Sequence, residues 1–207
     1  MTLLPWNEIN WNAPRPTETE MVESWTAIRW EHSPIDAPGL EAYLDAARAA
    51  FRGRCLAGRW RAVEYPDATA WFTTRNRHDE YGLHSQLLDS AVVRTDLAEL
   101  EIPAALDRIP AGLKEEWAGA LTLDGTLAAL IVQGGPYDRF RGTAAQAKEL
   151  ASAAVHSLVG DRYEDFRVDY SGTAWTPWFW DETWDHTYVI TDNGRAEVTV
   201  LCLTDTD

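Results

Sequence analysis

The chain has 207 residues, 45% of them hydrophobic, with 33 acids against 18 bases and a formal charge of −15. That length and apolar content suit one domain folding around its own core, and are too apolar for a disordered chain. The charge argues against a nucleic-acid partner, whose phosphates need Lys and Arg, and against anionic membrane surfaces; it favours attraction toward a basic protein partner, or serves solubility alone.

Acids concentrate toward the end of the chain. Residues 161–207 carry eleven acids and only three bases, Arg162, Arg167 and Arg195. Sixteen of the 18 bases are Arg, which reads as the codon use of a GC-rich bacterial genome. Cys55 and Cys202 are the only cysteines and stand far apart, which points to a reducing compartment and away from a disulfide scaffold. No basic n-region and apolar h-region follow Met1, and the longest apolar run, Leu127–Val132, is too short for a bilayer, so a cytoplasmic location is expected.

In chain order, residues 1–22 read as an irregular arm broken by Pro5, Pro14 and Pro16, with a polar Thr17-Glu18-Thr19-Glu20 stretch and with Trp6, Ile9 and Trp11 placed to pin it. Residues 23–207 read as a single domain. Leu40, Tyr43, Leu44, Ala47 and Phe51 follow helical spacing, with Gly53 as a stop. Ala68–Thr74 is rich in strand formers, Arg75–Leu88 is ambiguous, and Leu97–Trp117, punctuated by Pro103 and Pro110, reads as short helical pieces.

Asp124-Gly125 predicts a two-residue hairpin between strands Ala118–Leu123 and Thr126–Val132. Ala144–Val159 is the strongest helix, with Thr143 and Gln146 at capping-box spacing and Gly160 as its stop. Phe166–Tyr170 reads as a strand. A second hairpin, Thr187–Thr191 with Ala196–Leu203 around Asn193-Gly194, would set Asp192 opposite Arg195 and Val189 opposite Val198. The expected fold is α+β, an antiparallel sheet built from β-hairpins with a long helix packed on one face.

Several chemistries leave no trace. Neither lysine follows a glycine, so no P-loop is present, and Gly-x-Gly-x-x-Gly, Gly-x-Ser-x-Gly and His-Glu-x-x-His are missing. Glu80 and His84, four apart, would share a helix face and can serve as metal ligands or an acid–base pair. His78, six from His84, would not share that face well, and a solvated helix start explains His78-Asp79-Glu80 without chemistry. Asp185 and His186 enter a strand and would point to opposite faces. His156 reads as a surface residue of its helix and His32 as a loop residue. Cys202 lies in an apolar strand as an inert thiol, while Cys55 follows the basic Arg52-Gly53-Arg54. The sequence thus assigns no catalytic residue, metal or cofactor.

The segment Trp175–Asp185 holds five aromatics and three acids in eleven residues. Either it plugs one end of the sheet, or Trp175, Trp178, Trp180 and Trp184 with Asp181, Glu182 and Asp185 form a partner-binding surface. The C-terminal pattern Pro177-Trp178-Phe179-Trp180-Asp181, Trp184-Asp185-His186-Thr187 and Leu201–Asp207 resembles small uncharacterised acidic bacterial proteins, some of which resemble the immunity partners of secreted toxins. That resemblance implies an inhibitor of a basic toxin domain. The alternative is a hydrolase or carbohydrate-active enzyme using the same carboxylates, with tryptophans stacking the substrate.

Overall fold

The computed structural model describes residues 9–52 and 54–207. Six strands, β1 (Arg29–His32), β2 (Cys55–Glu64), β3 (Lys114–Glu115), β4 (Phe166–Ser171), β5 (His186–Asp192) and β6 (Glu197–Leu203), form one antiparallel sheet in the order β1-β2-β6-β5-β4-β3. Every residue of the inner strand β6 is buried, because both faces of the sheet are covered. Side chains alternate between two cores. Val168, Tyr188, Ile190, Leu201 and Leu203 meet one set of helices; Val189, Val198, Val200 and Cys202 meet another. The fold is α+β.

The first core is built by α2 (Pro38–Ala50), α7 (Ala120–Gln133) and α8 (Ala144–Val159). Thr143 and Gln146 close the capping box of α8, satisfying its first amides. Ala147, Ala151 and Ala154 are fully buried on that helix, which packs mainly against α2 and α7. The second core lies under short helices, α1 (Glu18–Trp25), α3 (Asp67–Thr73), α4 (His78–Tyr81), α5 (Leu83–Asp89) and α6 (Ala91–Asp96). At its centre the fully buried Trp60 donates from Nε1 to Asp96 Oδ2 at 2.8 Å. Its ring lies across Gly58, where an added Cβ would sit 2.3 Å from the indole.

Several expectations are overturned. Asp124-Gly125 is no hairpin but the middle of α7, whose buried Ala120, Leu123, Leu127, Ala128, Leu130 and Ile131 keep helical spacing. Asp124 accepts from Gly125 N and Ser152 Oγ and pairs with Lys148 Nζ at 2.6 Å, so tertiary bonds to α8 outweigh the local turn preference and the roughly 1 kcal/mol cost of a helical glycine. Ala68–Thr74 is helical as α3, started by Pro66-Asp67 and burying Ala68, Thr69, Phe72 and Thr73 on one side. The hairpin β5–β6 exists in a different register. Val189 faces Val200 and Asp192 faces Glu197, across a four-residue loop. Neither Asn193 nor Gly194 adopts the positive φ that the two-residue turn needs. Asn193 N instead donates to Asp165 O, and Asp192 accepts a two-pronged pair from Arg162 at 3.0 and 2.5 Å.

The arm also differs from expectation. Thr17 and Glu20 form a reciprocal capping box, so Glu18–Trp25 is helical across the expected boundary at residue 22. Ahead of it, Trp71 Nε1 donates to Ala13 O and Arg75 to Asn10 O, fixing an irregular stretch. Trp6 and Gly53 lie outside the described residues. No helix among those described is long and apolar enough to cross a membrane.

Candidate functional site

Segment 175–185 connects β4 to β5, and the structure divides its residues. Trp178 and Phe179 are buried with rings edge to face at 5.0 Å, and half-buried Trp175 donates from Nε1 to Thr187 Oγ1. Asp185 is 1% exposed and accepts from Thr204 Oγ1 at 2.5 Å, Glu182 N at 3.0 Å and Trp180 N at 3.4 Å. Trp184 is half-buried against the first core. Trp178 and Asp185 therefore hold the loop together and offer little to a partner. Trp180, 49% exposed, and Asp181 face solvent, while Glu182 is half-buried. The Arg54 guanidinium sits between the Trp178 and Trp180 rings, 5.2 and 5.0 Å from their centroids.

A cleft of about 440 Å³ beside this loop is lined by Arg54, Cys55, Leu56, Glu99, Glu101, Pro177 and Trp178. None of Asp181, Glu182 and Asp185 reaches it. Burial pushes the Cys55 thiol up to about 12, and the Cys202 thiol likewise to about 12, so neither is a ready nucleophile.

A more exposed aromatic lies elsewhere. Trp117, in the turn ahead of α7, is 97% exposed, and Leu121, at the start of α7, is 73% exposed. Ala120, Leu123 and Leu127 of α7 turn into the core, which leaves Leu121 on the outer face. Glu115 and Glu116, both exposed, precede this apolar knob. Reading Ala118–Leu123 as a strand left Leu121 unplaced, because only a helix that buries Ala120, Leu123 and Leu127 sets it on an outer face.

The third feature is buried. Gly82 adopts φ +77 and links α4 to α5, so His78 and His84 sit on two short helices rather than on one. Their rings meet edge to face at 5.7 Å. Arg167 and Asp169, two apart on β4, project to the same side. Asp169, fully buried, accepts from Arg167 Nε at 2.8 Å and Nη2 at 2.6 Å. Arg167 also donates to Asp79 Oδ1 at 2.7 Å and to Asn76 O, and lies 3.4 Å from Glu115. One nitrogen of each histidine and one oxygen of Asp169 lie within 4.8 Å of one another. Burial lowers both histidines to about 3, reinforced at His78 by His84 and then Arg167 and at His84 by Arg167, which keeps them neutral.

Glu80, the sequence's partner for His84, pairs instead with Arg15 and Arg77 at the surface. Asp185 and His186 engage separate partners, His186 Nδ1 meeting Tyr170 Oη at 3.0 Å. His32 is exposed beside Asp96, and His156 is exposed on α8.

Family models, curated proteins and solved structures yield no significant match to this chain.

Proposed function

We propose that the protein is a binding module for a basic protein partner, with Trp117 and Leu121 as its apolar anchor and Trp180 with Asp181 as a second exposed contact element. The observation that carries this reading is the near-complete exposure of Trp117, with Leu121 four residues on also exposed. Such side chains left in water forgo roughly 2–3 kcal/mol of burial each, which a partner can supply. Tryptophan is also the residue type most enriched among interface hot spots.

Charge selects the partner. Exposed Glu116 precedes the anchor, and the net −15 of the chain draws in cations. Complementary fields raise association rates by roughly 10- to 1,000-fold and fall with salt. A second copy of the chain fits this surface less well, because a two-fold contact centred on Trp117 would bring the acids of both copies together. A basic toxin domain is the partner implied by the resemblance of the C-terminal pattern to immunity proteins. The carbohydrate-active alternative loses its carboxylate pair, since Asp185 is committed to internal hydrogen bonds and Asp181 and Glu182 do not line the cleft.

The test is affinity capture from host extract with the wild-type chain, Trp117→Ser and Leu121→Ser, using exposed Tyr137→Ser as the control. A basic protein retained by the wild type and the control, released by salt and missing from the Trp117 and Leu121 variants, supports the proposal. Identical, salt-insensitive captures from all four chains would refute it.

A further inference from the structure

We propose that His78, His84 and Asp169 form a closed binding site for one divalent transition-metal ion of the zinc or cobalt type, which fastens α4 and α5 to β4. Four observations converge on it. The first is an unspent lone pair. His78 Nε2 lies 2.9 Å from the Asn193 side-chain oxygen, an acceptor, so the ring proton sits on Nε2. That leaves Nδ1 bare, and among the described residues it has no hydrogen-bond partner although the ring is 1% exposed. A buried acceptor without a partner costs roughly 1–3 kcal/mol, an expense that a metal bond would remove.

The second is a spacing. His84 Nε2 and Asp169 Oδ2 are 3.6 Å apart, too long for a good hydrogen bond. Bonds of about 2.0–2.1 Å around a tetrahedral ion set neighbouring ligand atoms roughly 3.3–3.4 Å apart, so a shift of a few tenths of an ångström completes that edge. Thr191 Oγ1 lies 3.5 Å from His84 Nε2, and a fourth ligand would come from it or from solvent.

The third is the supporting shell. Metal-binding imidazoles donate their other ring N–H to an oxygen, as His78 does to Asn193, and ligating carboxylates are held by further hydrogen bonds, as Asp169 is by Arg167. The fourth is charge. Among the described residues Asp79, Glu115 and Asp169 all pair with Arg167, three acids to one base at the guanidinium that holds Asp169. Two nitrogens and one carboxylate suit zinc, cobalt or nickel better than magnesium or calcium. The depth of the site makes it a structural fastening and not a centre open to substrate.

The probe is the metal itself. The full-length chain, stripped with a chelator and dialysed, is titrated with Co²⁺ and then with Zn²⁺. One equivalent of Co²⁺ should give the visible absorption of a four-coordinate site, Zn²⁺ should displace it, and zinc at about 100 times its Kd should raise Tm by about 5–10 °C. The band should vanish in folded His78→Gln and His84→Gln and persist in His32→Ala. A folded wild-type chain that takes up no stoichiometric metal overturns the proposal, as does a band that survives in either folded variant or disappears in His32→Ala. Should neither variant fold, imidazole NMR of the wild type decides. Zinc must then shift two solvent-protected rings while sparing exposed His32 and His156, and the opposite pattern refutes the site.

Discussion

Replacing Asp185 separates a structural role for segment 175–185 from a partner-facing one. The carboxylate is 1% exposed, so solvent screens little of what it does. It receives a 2.5 Å bond from Thr204 Oγ1 and a 3.0 Å bond from Glu182 N, with a weaker 3.4 Å contact from Trp180 N. Hydrogen bonds to a charged group contribute about 1.5–3 kcal/mol each. Two good ones, discounted because the Thr204 hydroxyl can rotate, put the cost of Asp185→Ala at about 3–4 kcal/mol. Asp185→Asn keeps the shape but turns an NH2 toward either the Glu182 N–H or the Thr204 and Trp180 donors, and should cost about 1–3 kcal/mol. Urea unfolding followed by tryptophan fluorescence measures both as a lowered midpoint at unchanged slope. For a chain of this size the alanine variant should melt about 6–15 °C lower. A loss below about 0.5 kcal/mol for both variants would refute the reasoning and return Asp185 to the pool of partner-facing acids.

Two glycines should respond with opposite signs. Gly125→Ala should stabilise by about 0.5–1 kcal/mol, since the new Cβ meets only the flexible end of Lys148 at 3.6 Å and α7 gains helix propensity; a hairpin at this position would be destabilised instead, and urea midpoints tell the two apart. Gly58→Ala should cost about 2–3 kcal/mol, because its Cβ would fall 2.3 Å from the ring of fully buried Trp60; a midpoint equal to wild type would contradict that close approach. His186, lowered to about 4 chiefly by burial, binds its proton less readily folded than unfolded. Its contribution is complete above the unfolded value near 6.5 and disappears as pH falls through that value toward 4, about 2–3 kcal/mol in all. The difference in stability between wild type and His186→Phe, measured from pH 7 to 4, should therefore shrink by that amount, and a flat difference would rule the titration out.

Sequence periodicity fixed what depends on nearest neighbours along the chain. The helices Pro38–Ala50 and Ala144–Val159, the Thr143–Gln146 capping box and the strand Phe166–Ser171 follow from apolar spacing and local hydrogen-bond chemistry. Charge and composition are likewise properties of the chain alone. Local signals failed where distant contacts outbid them. Asp124-Gly125 became helical because Asp124 found Lys148 and Ser152, and Asn193-Gly194 gave up its tight turn because Asn193 is held by His78 and Asp165.

The candidate sites divide in the same way. The aromatic and acidic character of 175–185 is written in the residues, but which rings face solvent depends on Arg54 from β2's leading edge and Thr204 beyond β6. Leu121 stands out only once α7 is a helix with an inner and an outer face, and Trp117 only once the turn ahead of that helix is in place. Asp169 lies 91 and 85 residues from His78 and His84 in the chain. No spacing rule spans such a gap, so only the left-handed link at Gly82 and the packing of α4 and α5 against β4 bring the three together.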